Sequence, residues 1–188
     1  MTHSDPIDPT LGALQGVLRA ARFASLKHVS QKRKGVAAEP YLNHLIEVAE
    51  LVSLAITEPD ANLIAAALLH DTVEDTETTA DELAREFGSD VAGLVAEVTD
   101  DKSLPKAERK RLQIEHAAHL TARAQTIKIA DKVSNLRGIL NTPPEDWDLR
   151  RKREYFDWAR RVVEACAAPN EFLKAQFDSV LAESGKLE

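Results

Sequence analysis

The residues His70-Asp71-Thr72-Val73-Glu74-Asp75 put an imidazole and three carboxylates directly after the apolar run Ile64-Ala65-Ala66-Ala67-Leu68-Leu69. A run that apolar belongs to a buried helix, so chemistry-bearing side chains gather where that helix ends. If the helix continues through Asp75, His70 faces Glu74 and Asp71 faces Asp75, two pairs on adjacent strips of one face. Carboxylates crowded in this way repel one another unless a cation sits among them. A bound divalent metal is therefore the first expectation, with metal-assisted hydrolysis as its chemistry.

Two other places supply groups of the right type. Tyr41-Leu42-Asn43-His44 opens a helix, and Lys128-Ile129-Ala130-Asp131 lies in the middle of one. Two imidazoles and two carboxylates make a mixed nitrogen and oxygen set that suits Mn, Fe, Zn or Ni. Taken singly, His44 reads as a partly buried helix-start histidine and Asp131 as a surface carboxylate paired with Lys128 or Lys132. Taken with His70-Asp71, ligation is the better reading. Glu74 can orient a metal-activated water or take its proton, and Asp75 can share that task. The plainer alternative for both is a solvated helix end, which the unfavourable interaction of carboxylates with a helix C-terminus argues against.

The elements that must position these groups are helical. Leu11, Leu14, Leu18 and Phe23 recur at helical spacing, as do Leu45, Val48, Leu51 and Val52, and no segment shows sustained strand alternation. Asp60 follows Glu58-Pro59 and can cap a helix running through Ile64 to Asp75. Thr79-Ala80-Asp81-Glu82 fits a capping box, so a helix starts there and stops near Gly88, with Ser89 or Asp90 starting the next. A basic helix is expected over 106–119 and an amphipathic one over 126–140, the latter ended by Thr142-Pro143-Pro144. Helices over about 148–168 and from after Pro169 to about Ala182 complete an irregular all-α bundle.

At 188 residues and 44% hydrophobic content the chain suits one compact domain. A formal charge of −7 argues against nucleic-acid binding. No uncharged run approaches the ~20 residues of a membrane span, and the polar start does not resemble a secretory signal. The single cysteine, Cys166, rules out an internal disulfide and a cysteine-rich zinc site. A cytoplasmic protein is expected. A small anionic substrate fits only where basic residues and a metal reverse the field locally.

His44, the pair His70-Asp71 and the distant Asp131 together resemble the pattern of the HD-domain phosphohydrolases, an all-α superfamily. The text around them is more specific. Ala67-Leu68-Leu69-His70-Asp71-Thr72-Val73-Glu74-Asp75-Thr76, Glu39-Pro40-Tyr41-Leu42-Asn43-His44 and Lys128-Ile129-Ala130-Asp131-Lys132-Val133-Ser134-Asn135-Leu136 are similar to the hydrolase domain of the RelA/SpoT alarmone enzymes. So is His28 with Gln31-Lys32-Arg33-Lys34. Val98-Thr99-Asp100-Asp101-Lys102-Ser103-Leu104-Pro105-Lys106 and Glu154-Tyr155-Phe156-Asp157-Trp158-Ala159 look like the single-domain SpoT-homologue branch. Leu45 stands where many relatives have proline after the histidine, and Ser30 replaces a common glycine. Neither position supplies a ligand.

The resemblance implies a small alarmone hydrolase that removes the 3′-pyrophosphate of ppGpp and pppGpp, as one domain over 1–188 without synthetase or regulatory domains. It implies manganese (Mn²⁺) held by His44, His70, Asp71 and Asp131, with Glu74 and Asp75 handling water and protons. Substrate contacts would come from Arg33, Lys34 and Asn135, joined by Lys106, Arg151 and Tyr155, the last by stacking on the purine or through its hydroxyl. His28 would order the basic loop by hydrogen bonding, and Trp147 and Trp158 would pack core or lid. The competing readings are an HD phosphohydrolase acting on another nucleotide or on the 2′-phosphate of NADPH, and a helical module that senses a nucleotide without cleaving it. Intact ligand positions disfavour the sensor, and the Glu74-Asp75 pair with the Arg33-Lys34 loop favours the alarmone.

Overall fold

The computed structural model describes residues 9–187. Along them run helices α1 (Pro9–Lys27), α2 (Tyr41–Ala55), α3 (Ala61–Leu69), α4 (Thr72–Asp75), α5 (Ala80–Val98), α6 (Lys106–Ala117), α7 (Ala122–Asn141), α8 (Leu149–Glu164) and α9 (Glu171–Ala182), with a 3₁₀ turn at Glu183–Lys186. The all-α expectation holds: no strand occurs among the described residues, only an isolated antiparallel bridge between Lys32 and Pro40. The central element is α7, which buries Ile127, Ile129, Ala130, Val133 and Leu136 completely. It packs against α2, α3, α5, α8 and α9. A side chain on α7 is therefore fixed by contacts on several sides, a good base for a site.

Side-chain caps set most of the helix starts. Asp60 accepts from Leu63 N at 2.9 Å, Thr79 from Glu82 N at 3.1 Å and Asp148 from Arg151 N at 2.7 Å. Thr121 caps α7 by accepting from Ala124 N, which starts that helix earlier than its apolar pattern suggests. Gly88 interrupts α5 with φ 86° and ψ 164°, a conformation favoured by a residue without Cβ, so the expected stop is present as a kink.

One expectation needs correction, and one apolar stripe turns out not to be core. The helix through Asp75 is not continuous: α3 ends at Leu69, His70 and Asp71 form a turn, and α4 restores a single helical turn. The reason is local. His70 Nδ1 bonds Ala67 O at 2.8 Å, the carbonyl that an unbroken helix would offer to Asp71 N. The stripe Leu11, Leu14, Leu18 on α1 faces outward, while Ala20 and Ala24 make the buried contacts of that helix. The remaining differences are at ends: α6 stops at Ala117 and α8 at Glu164, short of the expected limits.

Candidate active site

The turn at His70-Asp71 has a chemical result. In a continuous helix adjacent residues diverge by about 100°, whereas here His70 Nε2 lies 3.1 Å from Asp71 Oδ2. His44, in the first turn of α2, brings its Nε2 to 3.6 Å from the same oxygen and to 3.4 Å from Asp131 Oδ1. His70 Nε2 is 3.8 Å from Asp131 Oδ1. The structure thus brings His44, His70, Asp71 and Asp131 together from α2, the α3–α4 turn and α7. Asp131 also keeps the pairing with Lys132, at 2.9 Å, through its other oxygen, Oδ2. It is 13% exposed, not a surface carboxylate.

Hydrogen bonds fix which nitrogen each imidazole offers. Ala67 O can only accept, so His70 carries its proton on Nδ1 and turns a lone pair on Nε2 inward. Ser134 Oγ donates to Glu47 Oε2 at 2.6 Å and so accepts from His44 Nδ1 at 2.8 Å, leaving His44 Nε2 equally free. Both Nε2 atoms are buried without a hydrogen-bond partner. Two orphaned lone pairs facing two carboxylate oxygens fit a divalent cation with nitrogen and oxygen ligands. The field agrees. Burial opposes a charged His70, yet Asp71 and Asp131 hold its pKa up at about 10, so without a cation a proton takes the Nε2 lone pair that a metal would otherwise use, and the cluster attracts positive charge either way. Asp71 and Asp131 stay well below the ordinary carboxylate range, against burial, through the histidines and Lys132.

Three of the four, His70, Asp71 and Asp131, line a cavity of about 450 Å³. On one side Glu74 accepts from Asp100 N at 3.2 Å and lies 3.5 Å from Arg109. Its pKa is raised, first by burial and then by Asp71 and Asp100. Asp75 accepts from Gln31 Nε2 at 2.9 Å and is paired with Lys102. Opposite them, Arg33 is pinned against α7: it donates to Ser134 O at 3.1 Å, approaches Asn135 Oδ1 at 3.4 Å and pairs with Glu47 at 3.7 Å. Gly138 makes this possible, since a Cβ there would lie 2.6 Å from the Arg33 guanidinium. Asn135 donates to Asp131 Oδ1 at 2.5 Å.

Lys34 and Lys106 line the cavity, and among the described residues neither has a carboxylate within ion-pair distance. Burial and then Arg151, Lys34 and Arg109 lower the pKa of Lys106, as expected where cations crowd. Tyr155 lines the wall between Trp147 and Trp158, with ring centroids at 5.5 and 5.1 Å, and its hydroxyl is pushed up to about 12 by burial. Arg151 is not among the lining residues; it lies over the Trp147 ring and pairs with Asp146 at 3.3 Å. His28 bonds Gln31, as expected of a loop-ordering residue, while both tryptophans line the cavity as well as packing.

Sequence reasoning gave Tyr41 and Gln31 no role at the site, and gave Lys132 only that of a pairing partner for Asp131. Tyr41 donates to Asp71 Oδ2 at 2.5 Å, and Lys132 lies buried between Asp131 and the Trp158 ring, 4.5 Å from its centroid. Their only signal was proximity to His44 and Asp131 in the chain.

An all-α scaffold that gathers two histidines and two aspartates from three elements beneath a cation-lined cavity defines a class, the metal-dependent HD hydrolases. Residues 20–157 match the family model described as HD domain, and the chain belongs to that family. Its similarity is more particular than the fold. It is 47% identical to guanosine-3′,5′-bis(diphosphate) 3′-pyrophosphohydrolase MESH1 of Xenopus tropicalis and 46% identical to the protein of that name from Homo sapiens, each over 90% of this chain and 94% of the relative. A solved structure described as a metazoan ortholog of SpoT that hydrolyzes ppGpp superposes with a TM-score of 0.86 at 43% identity, covering 92% of this chain and 97% of that one. The GTP pyrophosphokinase rsh of Brucella ovis is 37% identical over 74% of this chain and 19% of its own length. The resemblance to the single-domain SpoT-homologue branch is borne out.

Proposed function

We infer that this chain is a metal-dependent guanosine-3′,5′-bis(diphosphate) 3′-pyrophosphohydrolase, releasing pyrophosphate from ppGpp or pppGpp and leaving GDP or GTP. The observation that carries the reading is the convergence of His44, His70, Asp71 and Asp131, three of which line a cavity that lysines and arginines also line. These four residues are proposed to hold the ion, and manganese is the proposed metal. When bound, it supplies Lewis-acid polarisation of a phosphate oxygen and lowers the pKa of a coordinated water.

The chain's own groups do the rest. Glu74, with its raised pKa, takes the proton of the attacking water, and Asp75 orients that water. Water oxygen bonds to the phosphorus attached at the 3′ position, the ester bond breaks, and the 3′ oxygen leaves as a hydroxyl after gaining a proton. Lys34 and Lys106 have free charge for the phosphates, and Arg33 is held in place by Glu47 and the α7 backbone for the same task. Tyr155 offers an aromatic face to the purine, and Asn135 an amide to the nucleotide. Arg151 can serve only by leaving Asp146.

The test is pyrophosphate and GDP release from ppGpp with added Mn²⁺, comparing wild type with Asp71→Ala. Manganese-dependent release that the variant loses supports reaction and site together. A folded, metal-loaded protein that leaves ppGpp intact refutes the reading and makes the NADPH 2′-phosphate the next substrate to assay.

A further inference from the structure

The basic loop closes on itself before it reaches the site. Lys32 and Pro40 form the antiparallel bridge, Arg33 N donates to Glu39 O at 2.9 Å, and Tyr41 N donates to Gln31 O at 3.0 Å. Gln31 and Tyr41 therefore leave the neck of this loop side by side. Their side chains reach the same short segment: Tyr41 Oη donates to Asp71 Oδ2 at 2.5 Å, and Gln31 Nε2 donates to Asp75 Oδ2 at 2.9 Å.

The orientation of Gln31 follows from its acceptor. An ionised carboxylate can only accept, so the amide nitrogen must face Asp75, and Oε1 then turns to His28 Nδ1, 2.6 Å away. That places the ring proton of His28 on Nδ1. His28 is 3% exposed and stacks on Tyr41, with centroids 5.3 Å apart and planes at 23°. One buried ring thus braces both neck residues, Gln31 by a hydrogen bond and Tyr41 by contact. The oxygen that Tyr41 holds is the one lying 3.1 Å from His70 Nε2 and 3.6 Å from His44 Nε2. A free carboxylate would rotate; this one is aimed.

We propose that Gln31 and Tyr41 are positioning residues, Tyr41 fixing Asp71 for the cation and Gln31 fixing Asp75 for the water, so that the neck of the basic loop ties its phosphate-facing cations to both carboxylates. The Gln31 half rests on the hydrolase reading above; the Tyr41 half rests only on the cation site.

The experiment uses the full chain carrying Tyr41→Phe, Gln31→Leu or, as a second variant of similar shape, Gln31→Met. Mn²⁺ affinity is read without substrate from the electron paramagnetic resonance of the free ion, kcat and KM from ppGpp hydrolysis, and folding from the metal-free unfolding midpoint. Tyr41→Phe is expected to weaken Mn²⁺ binding by about 10-fold or more, the usual loss when an outer hydrogen bond to a ligand is removed, with the metal-free midpoint nearly unchanged. Both Gln31 variants are expected to leave Mn²⁺ affinity as in wild type and lower kcat by roughly 10-fold at unchanged KM. Wild-type Mn²⁺ affinity in Tyr41→Phe, or a Gln31 loss confined to KM, overturns the corresponding assignment. Wild-type protein that binds Mn²⁺ and spares ppGpp sinks the hydrolase reading instead, and leaves the Tyr41 result standing.

Discussion

Glu74 is ionised less readily than an ordinary glutamate because it is largely buried and faces Asp71 and Asp100. It must be ionised to accept a proton, so its function fails, as pH falls, sooner than that of a solvated carboxylate. The acid limb of kcat against pH should therefore sit above the usual glutamate range. Glu74→Gln should remove that limb and lower kcat by ~10²–10⁴-fold, the range for a general base; a limb unchanged in the variant would assign it to another group. Lys34 and Lys106 call for a different signature. Neither has an ion pair to lose among the described residues, so Lys34→Ala and Lys106→Ala should raise KM by about 10-fold with a smaller change in kcat, which steady-state kinetics separates. The four residues proposed to hold the metal were singled out in the sequence, starting from His70 and Asp71, because a histidine and an aspartate straight after a buried helix have few structural reasons to be there. Tyr41 and Gln31 were not, since a tyrosine and a glutamine gain a role only from what the fold sets opposite them. Asp131 shows the middle case: its pairing with Lys132 and its place in the cluster are both present, on different oxygens.

Elements place these residues by rules that are partly written in the chain. The caps at Asp60 and Thr79 and the interruption at Gly88, expected as a stop and found as a kink, are local, depending on a few neighbouring residues, and were readable for that reason. The break at His70 was not, because α-helical spacing allows the run through Asp75 and only the ring's bond to Ala67 O decides against it. Exposure of Leu11, Leu14 and Leu18 was also hidden: periodicity reports that a helix has an apolar face, never which neighbour meets it. The most exacting element contact is between the basic loop and the end of α7. A Cβ on Gly35 would fall 2.1 Å from Thr142 O, a backbone atom that cannot swing aside. Gly35→Ala should therefore shift the loop bearing Arg33 and Lys34, and a displacement near 1 Å can cost ~10²-fold in kcat/KM. The readout is ppGpp hydrolysis alongside the unfolding midpoint; wild-type kcat/KM would mean that the loop's seat on α7 is immaterial to the reaction.

Across the whole molecule the proposed metal site is a junction, since its four residues come from α2, the α3–α4 turn and α7. A cation bound there ties these elements together in the folded chain and has no equivalent cluster in the unfolded one. Binding to the native state alone adds RT ln(1 + [L]/Kd), about 2.7 kcal/mol at a hundred times Kd. For a chain of 188 residues each kcal/mol moves the unfolding midpoint by about 2–4 °C, so saturating Mn²⁺ should raise Tm by roughly 5–10 °C. Chelation should reverse the shift. Asp131→Asn sharpens the test, because it keeps the shape of the side chain while removing a charge that both histidines face. Calorimetry of that variant should show a much smaller metal-dependent rise. An undiminished rise would place the stabilising ion elsewhere on this acidic chain.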